Sequence, residues 1–294
     1  MINPSLLSHA RIDRASAYNR ADHVTNLHID LSDEDYKNQL EDMVRSLSKL
    51  QEKMFAQQKR SVLLVFQAMD AAGKDSTIER VITGINPQGV DVYSFKKPSE
   101  LELSHDFLWR VNARLPGKGK IGVFNRSHYE EVLVTRVHPQ FIVYQNLPGI
   151  DSVDDINEQF WQDRFESIRS FENHISKNGT TVIKFFLNVS LDEQKQRLLD
   201  RMEEPDKHWK FKLGDIKERA RWEDYQHAFE QAINHTSSEN APWYIIPADD
   251  KKVMRLMVSQ IVLELMQSLD IDWPASVANV HADISEAKRL LSEE

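Results

Sequence analysis

The strongest constraint on this chain is the point where an apolar run meets a glycine-lysine turn. Ser61-Val62-Leu63-Leu64-Val65-Phe66-Gln67-Ala68-Met69 is almost continuously apolar. It does not alternate, which is the pattern of a strand buried on both faces of a parallel sheet. Asp70-Ala71-Ala72-Gly73-Lys74-Asp75-Ser76-Thr77 follows at once, and Ile78–Thr83 continues as a helix. A Gly-Lys pair at a strand-to-helix turn offers a phosphate backbone N–H groups, a helix N-terminus and an ammonium. The expected phosphate-binding residues are therefore Ala71, Ala72, Gly73, Lys74, Asp75, Ser76 and Thr77. The strict phosphate-loop pattern is departed from twice. Ala68 stands where its first glycine belongs, and Asp75 takes the place of the hydroxyl residue after the lysine. Asp70 is also unusual, because a carboxylate facing phosphates repels them unless a cation lies between. It is a candidate magnesium ligand. An ordinary solvated turn with a capping aspartate is the plainer alternative, and the flanking strand and helix weigh against it.

Short apolar runs recur at Val90–Phe95, Lys120–Phe124, Thr181–Leu187 and Trp243–Pro247. Helical segments separate them: Leu101–Arg114, Asn157–Asn178, Leu191–Met202, Asp215–Asn234 and Asp249–Leu269. This alternation predicts an α/β fold with a mainly parallel sheet flanked by helices. Ahead of it, Ser32 caps a stripe of Tyr36, Leu40, Met43, Leu47, Leu50 and Met54, predicting an amphipathic helix of about 25 residues. The expected organisation is an arm and helix over 1–57 packed on the core, a kinase-like domain over 58–270, and a tail helix within 271–294. The absence of cysteine excludes disulfides, thiolate metal sites and thiol nucleophiles. With no apolar run of about 20 residues and no basic-then-apolar leader, the chain is expected to be soluble and cytoplasmic, without a membrane partner.

Two more clusters bear on chemistry. Val123-Phe124 ends a predicted strand, and Asn125-Arg126-Ser127-His128-Tyr129-Glu130-Glu131 follows. Ligands bind beyond the carboxyl ends of strands in open parallel sheets, so polar residues crowding that position read as a site. Asn125 occupies the place of a magnesium-directing aspartate, and Arg126 can clamp a phosphate. His128 reads best as a satisfied structural histidine, and Glu130 and Glu131 fit the first turn of a helix equally well. The other cluster is Arg197 and Arg201, four apart on one helix face, with Pro205 ending the helix and Lys207, Lys210 and Lys212 beyond. An arginine-rich helix running into a basic turn suggests a mobile lid over about 197–222; a surface helix with ion pairs is the bland reading.

The formal charge of −9, from 37 basic and 46 acidic residues, argues against a protein that coats nucleic acid. Locally the balance reverses. Lys96, Lys97, Arg110, Arg114, Lys118, Lys120 and Arg126 face only Glu100, Glu102 and Asp106 over that stretch. A focused polyanion channel containing Lys96, Lys97, Lys118 and Lys120 is expected.

Taken together, Asp70-Ala71-Ala72-Gly73-Lys74-Asp75, Asn125-Arg126-Ser127-His128-Tyr129-Glu130 and the run Arg197 to Lys210 resemble polyphosphate kinase family 2, over about Leu27 to Leu269. The resemblance implies a P-loop kinase fold and reversible phosphoryl transfer between inorganic polyphosphate and a nucleotide, with magnesium. Many members keep aspartate at the position of Asn125 and asparagine at that of Glu130. The departure here is similar to a subgroup that accepts both AMP and ADP. On this reading Asp70 organises Mg2+, with Glu130 a second candidate ligand that tunes acceptor length. Lys74 and the loop amides hold phosphates, while Arg126, Arg197 and Arg201 stabilise charge on the transferring group. Expected partners are polyphosphate, adenine and secondarily guanine nucleotides, and further copies of the chain as a dimer or tetramer. An ATP-dependent nucleoside or nucleotide kinase and a non-catalytic nucleotide-binding module are the competing readings.

Overall fold

The computed structural model describes residues 2–13, 16–275 and 280–293. In chain order its principal elements begin with α1 (Pro4–Ala10), β1 (Arg11–Ile12), α2 (Asp33–Gln57), β2 (Ser61–Ala68) and α3 (Lys74–Ile82). Next come β3 (Val90–Ser94), α4 (Glu100–Leu103), α5 (Trp109–Asn112), β4 (Ile121–Asn125), α6 (Val134–Val137) and α7 (Gln140–Val143). Then follow α8 (Glu158–Lys177), β5 (Thr180–Asn188), α9 (Leu191–Glu203), α10 (Leu213–Arg219), α11 (Trp222–Thr236), β6 (Trp243–Pro247), α12 (Lys251–Ser268) and α13 (Val280–Ser292).

The strands form one six-stranded sheet in the order β1-β6-β5-β2-β4-β3. Every pairing is parallel except β1 with β6. β2 is central, between β5 and β4, and Val62 through Phe66 are 0–1% exposed, as their unbroken apolar run requires. From β2 the chain crosses to β3 and β4 on one side and later to β5 and β6 on the other. The carboxyl end of β2 is therefore a switch point, the place where open α/β sheets hold ligands. The single core takes in the N-terminal arm through Ile2 and Leu7, and α2 through Leu40, Met43, Leu47 and Met54. Ser32 caps α2 by accepting from the amide of Asp35. Among the described residues no helix is long and apolar enough to cross a membrane.

Two expectations are corrected, and one strand was not foreseen. The segment expected as one helix over Leu101–Arg114 is two single turns, α4 and α5. The Ser99–Glu102 capping box starts a turn there that ends by Ser104. Asp215–Asn234 is likewise broken between α10 and α11, at Ala220 and Arg221. The two-residue strand β1 went unread, because so short a strand leaves no periodicity.

Candidate active site

The loop after β2 turns sharply through Ala71 (φ 61°) and Gly73 (φ 103°) before α3 begins at Lys74. Both are left-handed, a conformation glycine adopts without strain and alanine does not. A Cβ on Gly73 would also come within 3.2 Å of Met254 Cε. The Lys74 ammonium folds back on the loop and donates to Ala68 O (2.9 Å) and Met69 O (3.3 Å). Burial, reinforced by the charge of Arg126, pushes it down to about 8. The Ser76 and Thr77 hydroxyls both donate to Gly73 O, at 3.2 and 2.9 Å.

β4 delivers the second half of the site beside this loop, through its pairing of Phe66 with Asn125. Asn125 Nδ2 donates to Asp75 Oδ1 at 2.7 Å. Arg126 adopts a left-handed backbone (φ 63°) and spans two carboxylates, Asp70 at 2.7 Å and Glu130 at 3.3 Å. The charge of Glu130, ahead of the opposing effect of burial, raises the Arg126 pKa. Burial raises that of Glu130, against the pull of Arg126 and Lys74. Asp70, Lys74, Asp75, Asn125, Arg126 and Glu130 are thus brought to one strand edge.

A buried network anchors the strained turn from behind. Ser127, His128 and Tyr129 are fully buried. The Tyr129 hydroxyl donates to Glu172 Oε1 (2.8 Å), whose other oxygen takes the Lys184 ammonium (2.6 Å). Lys184 also donates to Thr236 O at 2.9 Å. Burial opposes the Glu172 charge, but Lys184 and His128 outweigh it and hold the carboxyl below its ordinary range. Removing one member of such a buried pair typically costs about 3–5 kcal/mol.

The remaining predicted residues divide. Lys96 and Lys97 follow β3 at the same carboxyl edge and are exposed. Lys118 and Lys120 precede β4, so the strand's five residues, about 16 Å, separate them from Asn125. Lys120 is paired with Asp91 at 3.1 Å. The expected channel through Lys118 and Lys120 is corrected on this ground: a parallel strand sends its two ends to opposite edges of the sheet. Two other basic residues of the run are also occupied. Arg110 is buried and donates to Lys96 O at 2.7 Å. The Arg114 guanidinium lies over the Tyr93 ring at 5.1 Å.

The two lid arginines differ as well. Arg197 is buried and donates to the carbonyls of Ala71, Ala72, Ala248 and Asp249, bracing the loop from outside. Arg201 pairs with Asp215 of α10 at 3.1 Å. Beyond α9, Pro205–Lys210 forms a 3-10 turn. There Lys207 pairs with Glu204, and the Lys210 ammonium lies 4.9 Å from the centre of the Trp209 ring, itself 77% exposed.

Gln67 was missed as a site residue. It is 1% exposed, donates to Ser127 Oγ at 3.2 Å, and lines the same small cavity as Asp70, Arg126 and Glu130. Its signal was there to read, a lone amide inside an apolar strand, as was Lys184 inside Thr180–Asn188. Gln194 also went unread; it donates to Asp70 O at 3.0 Å and gave no comparable signal.

A loop of amides and one lysine, faced by an arginine between two carboxylates, has the chemistry to hold phosphates and balance their charge. Residues 30–273 match the family model described as polyphosphate kinase 2. The chain belongs to the polyphosphate kinase 2 family. It is 48% identical over 260 residues to an ADP-polyphosphate phosphotransferase of Rhodopseudomonas palustris, covering 88% of this chain and 89% of that one. It is 47% identical over 230 residues to an AMP/ADP-polyphosphate phosphotransferase of Meiothermus ruber, covering 78% and 80%. The crystal structure of polyphosphate kinase 2 from Arthrobacter aurescens TC1 superposes with a TM-score of 0.83 at 37% identity, covering 94% and 95%.

The donor set suits a hard divalent cation. Asp70 and Glu130 offer oxygen ligands, each also ion-paired with Arg126. Magnesium favours that arrangement, taking one or two carboxylates and completing its shell with water and substrate phosphates.

Proposed function

We propose that this polyphosphate kinase 2 enzyme transfers the terminal phosphoryl group of inorganic polyphosphate to ADP and to AMP, forming ATP and ADP, reversibly and with magnesium. The observation that carries the reading is the meeting of Lys74 and its loop with Arg126 and Glu130 at the carboxyl edge of β2 and β4. A nucleotide phosphate oxygen attacks the terminal phosphorus in line. One P–O bond forms as the bond to the shortened chain breaks, and the leaving oxygen departs as an anion. The nucleophile is already anionic, so no strong general base is required and catalysis is positioning and charge neutralisation.

Lys74 and the amides of residues 71–77 hold phosphates, and Arg126 neutralises charge on the group in transfer. Arg197 keeps the loop carbonyls turned away from the phosphates. Arg201, Lys207 and Lys210 come from the lid segment, and Lys96 and Lys97 receive the polymer at the open edge. Magnesium, when bound, screens the phosphate charges and is held by Asp70, with Glu130 as second carboxylate. Acceptance of AMP is supported by Glu130, a half-buried carboxylate paired with Arg126 at the carboxyl edge, and by the likeness to the Meiothermus ruber enzyme.

The test offers AMP, ADP, GMP and GDP separately with polyphosphate, with and without magnesium. The reading expects ATP from ADP with no other nucleotide present, dependence on magnesium, and weaker use of the guanine nucleotides. A strict need for a nucleoside triphosphate donor would instead make this an ATP-dependent nucleotide kinase.

A further inference from the structure

The residues matched by the family begin at 30, yet the arm ahead of them reaches the carboxyl edge of the sheet. β1 pairs with β6, and Asn234 fixes Tyr18 by accepting from its amide (2.7 Å) and donating to its carbonyl (2.9 Å). Residues 23–25 then cross the ends of β5 and β6. Asn188, the last residue of β5, donates its side-chain amide to His23 O at 3.2 Å. Thr25 clips Asp249, two residues past β6, from two directions. Its carbonyl accepts from the Asp249 amide at 3.0 Å, and its hydroxyl donates to Asp249 Oδ2 at 2.8 Å. The other carboxylate oxygen accepts from the amide of Ser190, the cap of α9, at 2.7 Å.

Asp249 is also where Arg197 is held. Arg197 Nη2 donates to Ala248 O (2.7 Å) and Asp249 O (2.9 Å), while Nη1 donates to Ala72 O (2.8 Å) and Ala71 O (3.3 Å). One planar, rigid group therefore joins the chain after β6 to the strained turn of the loop. In a trans peptide the carbonyl and the following amide point opposite ways. Drawing the Ala72 carbonyl onto Arg197 turns the Gly73 amide away from it. The direction of a loop amide is thus set through Arg197, and the seat of Arg197 is set by a residue that the arm clips.

On the reading of residues 71–77 as phosphate-binding, on which this rests, we propose that Thr25 is a positioning residue for that loop. It holds Asp249; Asp249 and Ala248 hold Arg197; and Arg197 fixes the carbonyls of Ala71 and Ala72. The N-terminal arm is thereby part of the apparatus that binds polyphosphate, in addition to covering the core. Loop amides grip phosphates before transfer as well as during it. A loosened loop therefore raises KM more than it lowers kcat.

Thr25→Val in the full chain tests this. It removes the hydroxyl and keeps the branched shape, while β1, Tyr18 and the Thr25 carbonyl keep the arm seated. The KM for polyphosphate should rise about fivefold, the scale of one hydrogen bond, with kcat within about twofold. Amide exchange at residues 71–74 should quicken with no matching change in β5, which separates a loosened loop from lost global stability. Thr25→Ser returns the hydroxyl and should restore both KM and exchange. In an Arg197→Lys background, where one ammonium cannot span four carbonyls, Thr25→Val should add less than about twofold to KM. An unchanged KM with unchanged loop exchange would overturn the role of the arm and leave the phosphate-loop reading intact. So would a KM that Thr25→Ser fails to restore, or an undiminished rise in the Arg197→Lys background. A wild type that forms no ATP from ADP and polyphosphate would fail the reading itself, and the role of the arm with it.

Discussion

The two edges of the parallel sheet carry basic side chains of the same kind and hold them differently. At the amino edge, Lys120 meets the carboxylate of Asp91, and both stay about one-third exposed. Its charge is matched and hydrated. At the carboxyl edge, Lys74 is buried against two carbonyls, and Arg126 is shared between two carboxylates on a strained turn. The Lys74 charge is held in place and poorly solvated, while Arg126, 40% exposed, is fixed by its two carboxylates. Basic residues close in sequence become a phosphate site only at the edge where loop amides and a helix start converge on them.

Substitutions at the two edges can break this contrast. The largest effect is expected for Lys74→Ala, at least about a hundredfold loss in polyphosphate-dependent kcat, the scale of one positioned charge. Near wild-type turnover would remove the carboxyl edge from the chemistry. Glu130→Asn should shift the ratio of AMP to ADP use by about tenfold against AMP, or about 1.4 kcal/mol; equal losses on both acceptors would end the tuning role.

A pH profile sharpens the contrast further. Lys74 is driven down to about 8, so raising the pH through that value discharges it in the free enzyme, and kcat/KM should fall. Bound phosphates favour the charged form and raise its pKa, so the alkaline limb of kcat should lie at higher pH. Coincident limbs would contradict this. The smallest effect belongs to Lys118→Ala with Lys120→Ala: kcat/KM within about twofold, and a stability loss of no more than about 1 kcal/mol from the partly exposed Lys120–Asp91 pair.

Much of this was legible in the residues. The unbroken apolar run of β2 and the Gly73-Lys74 turn pointed to the candidate site, because a buried parallel strand must end in a turn that satisfies its own polar groups. What was not legible depended on distance across the fold. The basic run from Lys96 to Arg126 reads as one patch in sequence, yet β4 divides it between two edges. Arg197 and Arg201 share a helix face. One turn of rise nevertheless carries the first into the loop carbonyls and leaves the second on Asp215. The broken helices at Ser104 and Ala220 were hidden for the same reason, since helical spacing persists in sequence across a turn that tertiary contacts impose.

Amide hydrogen exchange on adding polyphosphate and magnesium tests the central claim most directly. The amides of residues 71–77 should become protected, while those of residues 117–120 at the opposite edge stay unchanged. Protection at 117–120, or none at 71–77 under conditions that saturate turnover, would contradict the assignment of phosphate binding to the carboxyl edge.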